Sequence, residues 1–374
     1  MNLKIGYDAK RAFFNSSGLG NYSRGVIDIM TEFYPENDYF LYAPTKKSNN
    51  IYHTPEKVIL KKPESFVDKL LPSYWRSYGI TKQLNTDNID IFHGLSNELP
   101  LNIHKLKAKK IVTIHDLIFL RFPELYKFWD RKIYEKKLRY CCNVADAIIS
   151  ISDQTKNDII DFTGTDKNKI ITVYQSCHGR FKEKMNVSDK NKIKEKYNLP
   201  EDYILFVGTI EKRKNLLNIV KSLKLFTSDI PLIVIGRPTV YLDEVKEYIA
   251  KNYLIDRVLF FHNIRNEELP AFYQMAKIFI YPSVFEGFGI PIIEALYSGV
   301  PVITSTGSCF SEAGGPDSLY ISPDDPEQIA DSIERLLSDE NLYQNMITKG
   351  LEYVKNFDET KVAENLAHVY NSLM

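Results

Sequence analysis

Short apolar, β-branched segments alternate with longer amphipathic segments along the whole chain. In the first half the amphipathic segments predict helices, among them Gly20–Phe33 and Lys127–Cys142. This alternation is typical of βαβ units, in which parallel strands are covered by helices. The strands predicted in this half are Lys4–Tyr7, Tyr39–Tyr42, Ile89–His93, Lys110–Ile114, Ala147–Ser150 and Ile170–Val173.

The same alternation restarts after a polar, lysine-rich stretch at Gly179–Lys196, which offers little to a hydrophobic core. The sequence therefore predicts a Rossmann-like domain over residues 1–178, a linker over 179–200 and a second Rossmann-like domain over 201–356. A last helix over 357–374 is a candidate to cross back to the first domain. Doubly wound α/β domains of this kind bind ligands at the carboxyl ends of their strands. The strands predicted in the second half are Tyr203–Val207, Pro231–Ile235, Val258–Phe261, Ile278–Tyr281, Val300–Thr304 and Ser318–Ile321.

Composition supports a two-domain globular protein. The chain has 374 residues, of which 44% are hydrophobic and 26% are charged, and this length exceeds one typical core. Its longest apolar runs are shorter than a membrane span, and the early acid at Asp8 does not fit a signal peptide. The four cysteines lack metal-binding spacing, which favours reduced thiols. These features predict a cytoplasmic protein.

The formal net charge is zero, but the two halves differ in sign. Residues 1–180 carry 27 basic and 20 acidic side chains, whereas residues 181–374 carry 21 and 28. This division argues against nucleic acid as a partner. The basic half suits peripheral contact with an anionic membrane, a phosphate-bearing acceptor, or an ordinary solvated surface. The aromatic segment Glu64–Leu84 is likewise either an amphipathic element for the acceptor or the membrane surface, or a helix packed on its own domain.

A glycine-containing turn joins the predicted strand Ile278–Tyr281 to a helix. Gly287 and Gly289 let the backbone turn tightly, and the amides of the following helix N-terminus attract phosphate. The carboxylates of Glu286 and Glu294 can accept hydrogen bonds from sugar or ribose hydroxyls. The alternative for Glu294 is that it complements the helix dipole from the first turn.

Two cations, Arg213 and Lys214, follow the predicted strand that ends near Gly208. Arginine grips two oxygens as a fork and lysine adds a mobile point charge. A basic loop alone is usually a solvated turn. Together with the helix N-terminus described above, these two residues predict a clamp for a pyrophosphate.

The first half contributes two further candidates. Gly20 belongs to the turn Gly18–Tyr22, in which Ser23 replaces the third glycine of a dinucleotide-binding loop. His115 ends a predicted strand, where a histidine is more often structural than catalytic, although ligands bind at this edge. The sequence contains no zinc-binding spacing and no strand-end Asp-x-Asp pair. Cations and amides, with no metal ion, are therefore expected to neutralise a leaving diphosphate.

Together these motifs resemble those of glycosyltransferase family 4, whose members are retaining enzymes of the GT-B fold, with two Rossmann-like domains facing across a cleft. The resemblance implies transfer of a hexose, with mannose suggested, from a GDP- or UDP-sugar. The acceptor would be a glycan or a lipid-linked glycan in polysaccharide or lipopolysaccharide synthesis, at the inner face of the membrane if the enzyme binds there. No metal or other cofactor is implied. The resemblance rests on Gly18–Tyr22, His115-Asp116, Ala145–Ser150, Gly208–Asn215, the pair Glu286 and Glu294, and Gly299–Val302.

The resemblance also implies roles for residues at matching positions. Arg213 and Lys214 would neutralise the diphosphate, Glu286 would hold a sugar hydroxyl, His115 would touch the transferred sugar, and Glu294 would bind the ribose. The implied catalytic residues are thus His115, Glu286, Arg213 and Lys214. The implied substrate-binding residues are Gly20, Phe288, Gly289, Ile290 and Glu294.

Other functions remain open at this point. The stretch Ser308–Asp317 departs from the pattern of similar enzymes, which affects the nucleoside side of the pocket. A nucleotide-sugar epimerase and a non-enzymatic nucleotide-sugar-binding protein are the alternatives. An NAD-dependent oxidoreductase is disfavoured by the incomplete glycine loop.

Overall fold

The computed structural model describes residues 2–44 and 51–374. They divide into two compact units. The first comprises the described residues up to Ser176 together with Asp358–Met374, and the second comprises Cys177–Phe357. Each unit holds one parallel β-sheet with helices around it, so the predicted α/β class with two Rossmann-like units is confirmed.

The first unit is built on seven parallel strands of the described chain, in the order β3-β2-β1-β4-β5-β6-β7. The central strands are buried on both faces, which explains their continuous apolar sequences. Strand order changes direction between β1 and β4, which makes that position the switch point of the sheet. The strands are β1 (Lys4–Asp8), β2 (Asp38–Tyr42), β3 (Val58–Lys61), β4 (Ile91–Gly94), β5 (Lys109–Ile114), β6 (Ala147–Ser150) and β7 (Ile170–Thr172).

The edge strand β3 was not predicted. It exposes Ile59 and Leu60 and is flanked by lysines, so its sequence lacks the apolar run of a buried strand. A π-helical turn, Trp75–Gly79, lies between the fourth and fifth helices. The helices before the second unit are α1 (Lys10–Phe14), α2 (Gly18–Phe33), α3 (Phe66–Leu70), α4 (Pro72–Tyr74), α5 (Ile80–Thr86), α6 (Ile118–Arg121), α7 (Phe128–Val144) and α8 (Asp153–Thr163).

The second unit contains six parallel strands of the described chain, in the order β10-β9-β8-β11-β12-β13, and its switch point lies between β8 and β11. The strands are β8 (Ile204–Val207), β9 (Leu232–Ile235), β10 (Val258–Phe261), β11 (Ile278–Tyr281), β12 (Val302–Ser305) and β13 (Leu319–Ile321). The helices are α9 (Val187–Tyr197), α10 (Leu216–Ser222), α11 (Tyr241–Lys251), α12 (Leu269–Gln274), α13 (Ile290–Tyr297), α14 (Phe310–Gly314), α15 (Pro326–Ser338) and α16 (Glu340–Tyr353).

The structure corrects the predicted linker over residues 179–200, because α9 belongs to the second unit. The side chain of Asn186 caps this helix by accepting a hydrogen bond from the amide of Asp189 at 2.8 Å. At its other end Tyr197 donates a hydrogen bond to Glu268 at 2.7 Å and packs its ring against Phe272. Ile193 is the buried apolar residue of the helix, and most of the other side chains are polar, so the composition of α9 resembles that of a linker.

The last helix, α17 (Glu359–Ser372), belongs to the first unit and packs against α2. Its buried Tyr370 places a hydroxyl 3.2 Å from the hydroxyl of Tyr7 and 2.8 Å from Nδ1 of His93. The chain therefore leaves the first unit after Ser176 and returns to it at Asp358. Within residues 2–44 and 51–374, no helix is both long and apolar enough to cross a bilayer.

Candidate active site

The catalytic candidates of the second half meet at the switch point of the second sheet. Arg213 and Lys214 lie in a 3₁₀ turn after β8, and Glu286 lies in the turn after β11, which pairs directly with β8. Neighbouring parallel strands end at the same edge of a sheet, so the turns that follow them meet. This edge is where doubly wound sheets bind ligands.

Four donors converge on one oxygen of Glu286. Its Oε1 lies 2.7 Å from Nη1 of Arg213 and 2.9 Å from each of Lys214 Nζ, the Tyr281 hydroxyl and Ser283 Oγ. The Glu286 side chain is only 13% exposed. Burial acts to raise the pKa of Glu286, but Lys214 and Arg213 outweigh it and lower this pKa to about 2. Glu286 is therefore a carboxylate at neutral pH.

The two cations are held in place by further contacts. Arg213 donates to the backbone carbonyl of Phe285 and, through Nη2, to Glu211 at 2.6 Å. Lys214 donates to the hydroxyl of Tyr281 and lies 4.8 Å from the centre of its ring. Burial opposes the charge on Arg213, but Glu286 and Glu211 raise its pKa above the ordinary value. Charged donors fixed in this way need little rearrangement to receive an oxygen anion.

The turn before α13 has the shape that the sequence predicts. Gly289 is the N-cap and has a φ of 114°, in the left-handed region that favours glycine. Phe288 is buried and packs its ring against Phe357, with ring centres 5.3 Å apart. Ile290 then begins an eight-residue helix. Gly289 has no side chain to cap this helix, Pro291 has no N–H, and the amide of Ile292 donates to the carbonyl of Gly289 at 2.9 Å. The amide of Ile290 is therefore positioned to receive an anion.

Glu294 lies deeper in α13 than predicted. The helix begins at Ile290, so Glu294 is in the second turn, and the suggested interaction with the helix dipole from the first turn is wrong. Its Oε2 accepts a hydrogen bond from the hydroxyl of Tyr273 at 2.8 Å. Burial raises the pKa of Glu294 to about 7, against the opposing effects of Tyr273 and Arg180. This carboxyl group therefore changes charge near neutral pH.

His115 lies just beyond β5 in the first unit and is 6% exposed. Its Nε2 is 2.9 Å from the carbonyl oxygen of Leu95. A carbonyl only accepts, so Nε2 carries the proton and Nδ1 is the acceptor. Burial lowers the pKa of His115 to about 4, although the bond to Leu95 acts to raise it. The imidazole is neutral at physiological pH.

Gly20 lies in the first turn of α2. A Cβ at Gly20 would stand 1.8 Å from the backbone oxygen of Asn15, so this position in α2 accepts only glycine without a shift of the backbone. Tyr22, two residues on, meets His115 edge to face with ring centres 4.6 Å apart. Gly20 and His115 both belong to the first unit, and Tyr22 of α2 is the residue that contacts His115. The other seven predicted site residues lie in the turns after β8 and β11 and in α13 of the second unit.

Sequence reasoning missed several partners of these residues. Tyr281 ends a predicted strand and Ser283 follows it, so their position at the ligand-binding edge was a usable signal. His93 was also missed. Its Nε2 lies 2.8 Å from Thr113 Oγ1, and its Nδ1 reaches Tyr370 of α17, a partner that no local pattern reveals. Burial lowers the pKa of His93 to about 3, so this ring is also neutral.

Two family profiles together cover most of the chain. The profile described as "Glycosyltransferase Family 4" matches residues 35–176. The profile described as "Glycosyl transferases group 1" matches residues 187–353. The first match lies within the first structural unit and the second match lies within the second unit. The returning helix α17 lies outside both matches.

Curated relatives and solved structures agree with these profiles. The chain is 28% identical to "O-antigen chain mannosyltransferase B" of Escherichia coli over 76% of this chain and 74% of that protein. It is 31% identical to "O-antigen chain mannosyltransferase RfbU" of Salmonella typhimurium over 62% of this chain and 64% of that protein, a little under two thirds of its length.

The fold matches that of Anabaena Alr3699/HepE, solved in complex with UDP and glucose. The TM-score is 0.75 and the sequence identity is 14%, over 99% of this chain and 100% of that one. At this identity the likeness concerns the fold. The family profiles, the relatives and the fold lead to one conclusion: the chain belongs to glycosyltransferase family 4 and is a glycosyltransferase of the GT-B fold.

Proposed function

We propose that this chain transfers a mannosyl residue from a GDP- or UDP-activated donor to a hydroxyl of a glycan or lipid-linked glycan, with retention of anomeric configuration and without a metal ion. Two relatives that carry the name O-antigen mannosyltransferase support the sugar and the acceptor class. A structural neighbour that holds UDP and glucose supports a nucleotide-sugar donor.

The cluster of Arg213, Lys214 and Glu286 carries this proposal. In transfer, the bond from the anomeric carbon to the donor phosphate breaks, and negative charge develops on the leaving diphosphate. Arg213 and Lys214, with the amides of Gly289 and Ile290, are fixed donors for that charge, so they can take the role that a metal ion has elsewhere. The second carboxylate oxygen of Glu286, Oε2, can accept a hydrogen bond from a donor-sugar hydroxyl.

In the proposed reaction the acceptor hydroxyl attacks the anomeric carbon from the face that the diphosphate leaves. Its oxygen forms the new bond to that carbon, and its proton passes to the departing phosphate oxygen. No protein nucleophile takes part, in contrast to the carboxylate pair of retaining glycosidases. Nδ1 of His115, an acceptor in the neutral ring, is assigned to a hydroxyl of the transferred sugar.

A donor panel tests the proposal. The protein would be incubated with GDP-mannose, UDP-glucose and UDP-galactose, with octyl α-D-mannoside as a trial acceptor and with or without EDTA. We expect nucleoside diphosphate to be released from at least one donor, no loss of rate in EDTA, and an α-linked product by NMR from an α-linked donor. A sugar epimerised while still on its nucleotide, an inverted product, or a strict requirement for a divalent ion would each contradict part of the proposal.

Peripheral binding to an anionic membrane at the inner face belongs to the same proposal. The segment Glu64–Leu84 is packed on its own domain at one residue and exposes apolar side chains at others. Trp75 is 1% exposed in the core, whereas Phe66 is 79% and Leu70 is 63% exposed. Apolar side chains beside lysines are typical of surfaces that rest on anionic lipid. We expect co-sedimentation with liposomes that contain phosphatidylglycerol, weakened in Phe66→Ser/Leu70→Ser. Equal sedimentation of wild type and variant would exclude this segment as the contact.

A further inference from the structure

The switch point of the first sheet carries its own partly buried cluster of charges. Asp8 is the last residue of β1, and Glu98 follows β4, the strand that pairs with β1 across the switch point. Arg76, from the π-helical turn, bridges the two carboxylates. Lys137 of α7 completes the cluster by pairing with Glu98. We infer that these four residues form a subsite that binds hydroxyl groups of the acceptor sugar, an inference that rests on the proposed transferase function.

The cluster is closely connected. Nη2 and Nε of Arg76 lie 2.7 and 2.9 Å from Oδ2 of Asp8, and its Nη1 lies 2.5 Å from Oε2 of Glu98. The other oxygen of Glu98 accepts from Lys137 at 2.8 Å. Burial acts to raise the pKa of Glu98, but Arg76 and Lys137 lower it to about 2. Asp8 and Arg76 are only 8% and 17% exposed.

A purely structural role does not explain this arrangement well. Taking paired charges out of water costs about as much as their attraction returns, and apolar side chains of similar size often stabilise a fold as well or better. Arg76 is presented by a π-helical turn, an irregularity that is frequent at functional sites. The cluster also occupies, in the first sheet, the same topological position that Arg213, Lys214 and Glu286 occupy in the second.

A pocket opens beside the cluster. It has a volume of about 60 Å³ and is lined by the four charged residues together with Ser77, Leu99, Pro100, Leu101, Tyr140 and Cys141. Since about 10–15 Å³ of such space is enough for one water molecule, a few hydroxyl-sized groups fit inside. The pocket therefore accepts the edge of a sugar ring and leaves the rest of the ring outside.

The chemistry of the lining favours a sugar over an anion. A hydroxyl group both donates and accepts, so it can bind to the carboxylates of Asp8 and Glu98 and to the cations of Arg76 and Lys137. A free phosphate only accepts hydrogen bonds at these oxygens, and repulsion from the two carboxylates at close range would offset its attraction to Arg76 and Lys137. Pro100 and Leu101 supply an apolar wall that suits the C–H groups of a sugar ring.

Saturation-transfer NMR with octyl glycosides of mannose, glucose, galactose, N-acetylglucosamine and rhamnose tests the inference on the full-length protein. We expect wild type to bind at least one of them. Glu98→Gln should raise the Kd for that glycoside at least tenfold, because it removes the charge that orients Arg76 and Lys137. Lys137→Met should raise it about threefold to fivefold, and this side chain is 43% exposed, so its loss does not threaten folding.

Lys132→Met is the matched control. Lys132 lies on the same helix, α7, is 54% exposed and contacts Glu135 at 3.6 Å and the ring of Phe128 at 6.0 Å. Neither partner belongs to the cluster, so the variant should leave the Kd unchanged. No binding of any of the five glycosides by wild type would overturn the inference, as would wild-type affinity in both Glu98→Gln and Lys137→Met. The same samples would be titrated with GDP and UDP and assayed with the donor panel. Glycoside binding without donor turnover refutes only the proposed function. Donor turnover with wild-type glycoside affinity in both Glu98→Gln and Lys137→Met refutes only the subsite.

Discussion

Replacing Glu286 with glutamine removes one negative charge from the centre of the second-unit cluster and changes little else. Glutamine keeps the side-chain volume and an oxygen that can accept from Tyr281 and Ser283. Arg213 and Lys214, however, lose the carboxylate that they share at 2.7 and 2.9 Å. The variant should therefore lose stability and sugar transfer, while the two cations become more available to a diphosphate.

The pKa of Glu286 sets the size of the stability loss. It falls from an ordinary 4.5 to about 2 in the folded protein. This lowering of the pKa corresponds to about 3 kcal/mol of stability, since a tenfold change in the acid dissociation constant is worth about 1.4 kcal/mol. Because the folded-state pKa is the lower one, this contribution is present above about pH 4.5 and is lost as the pH falls through about 2. At pH 3 roughly 1.4 kcal/mol remains.

Urea unfolding followed by circular dichroism at pH 7 and pH 3 measures this difference. We expect Glu286→Gln to lower the free energy of unfolding by up to about 3 kcal/mol at pH 7 and by less than half of that at pH 3. Donor turnover should fall at least 100-fold, the loss of about 2.7 kcal/mol of transition-state stabilisation. The affinity for the nucleoside diphosphate alone should stay equal or rise, because Arg213 and Lys214 are released.

Glu247→Gln on α11 is the control, since it makes the same chemical change at a side chain that is 65% exposed and pairs only with Lys251. It should match wild type in unfolding, turnover and nucleotide binding. If Glu286→Gln unfolds like wild type at pH 7, the coupling of Glu286 to the two cations is wrong. If it transfers sugar at the wild-type rate, its assigned role in transfer is wrong.

Three further results are expected. Lys214→Met should nearly abolish nucleotide release from the donor and weaken nucleoside diphosphate binding about tenfold, a loss of about 1.4 kcal/mol, and added Mg²⁺ should not restore it. The affinity of wild type for the nucleotide, measured by calorimetry, should rise between pH 6 and pH 8. Glu294 has a pKa near 7, so over this range it becomes the carboxylate that accepts from ribose hydroxyls. A wild-type affinity that does not change with pH, or the same pH dependence in Glu294→Gln, would contradict this. Gly20→Ala should lower both turnover and the melting temperature, because its Cβ would stand 1.8 Å from the backbone oxygen of Asn15. Gly25→Ala in the same helix has open space around it and should stabilise the protein by about 0.5–1 kcal/mol. Equal melting temperatures of the two variants would argue against the close approach at Gly20.

The sequence by itself determined the class of fold and the edge at which the site lies. The apolar runs that became β8 and β11 are short and uninterrupted because these strands are buried on both faces of a parallel sheet. Parallel strands end at a common edge, so residues that follow them, such as Arg213 and Glu286, were predictable as neighbours without any knowledge of their contacts. The glycine before α13 was predictable for the same kind of local reason, since its left-handed φ excludes most other residues.

Tertiary structure alone decided the chemical state of those residues. Glu286 and Glu294 belong to one short motif, yet the pKa of the first is lowered to about 2 and that of the second is raised to about 7. The cause lies in their partners: two cations from the turn after β8 face Glu286, whereas a tyrosine hydroxyl from α12 faces Glu294. Charge interactions depend on distance in space and on burial, and neither can be obtained from spacing along the chain.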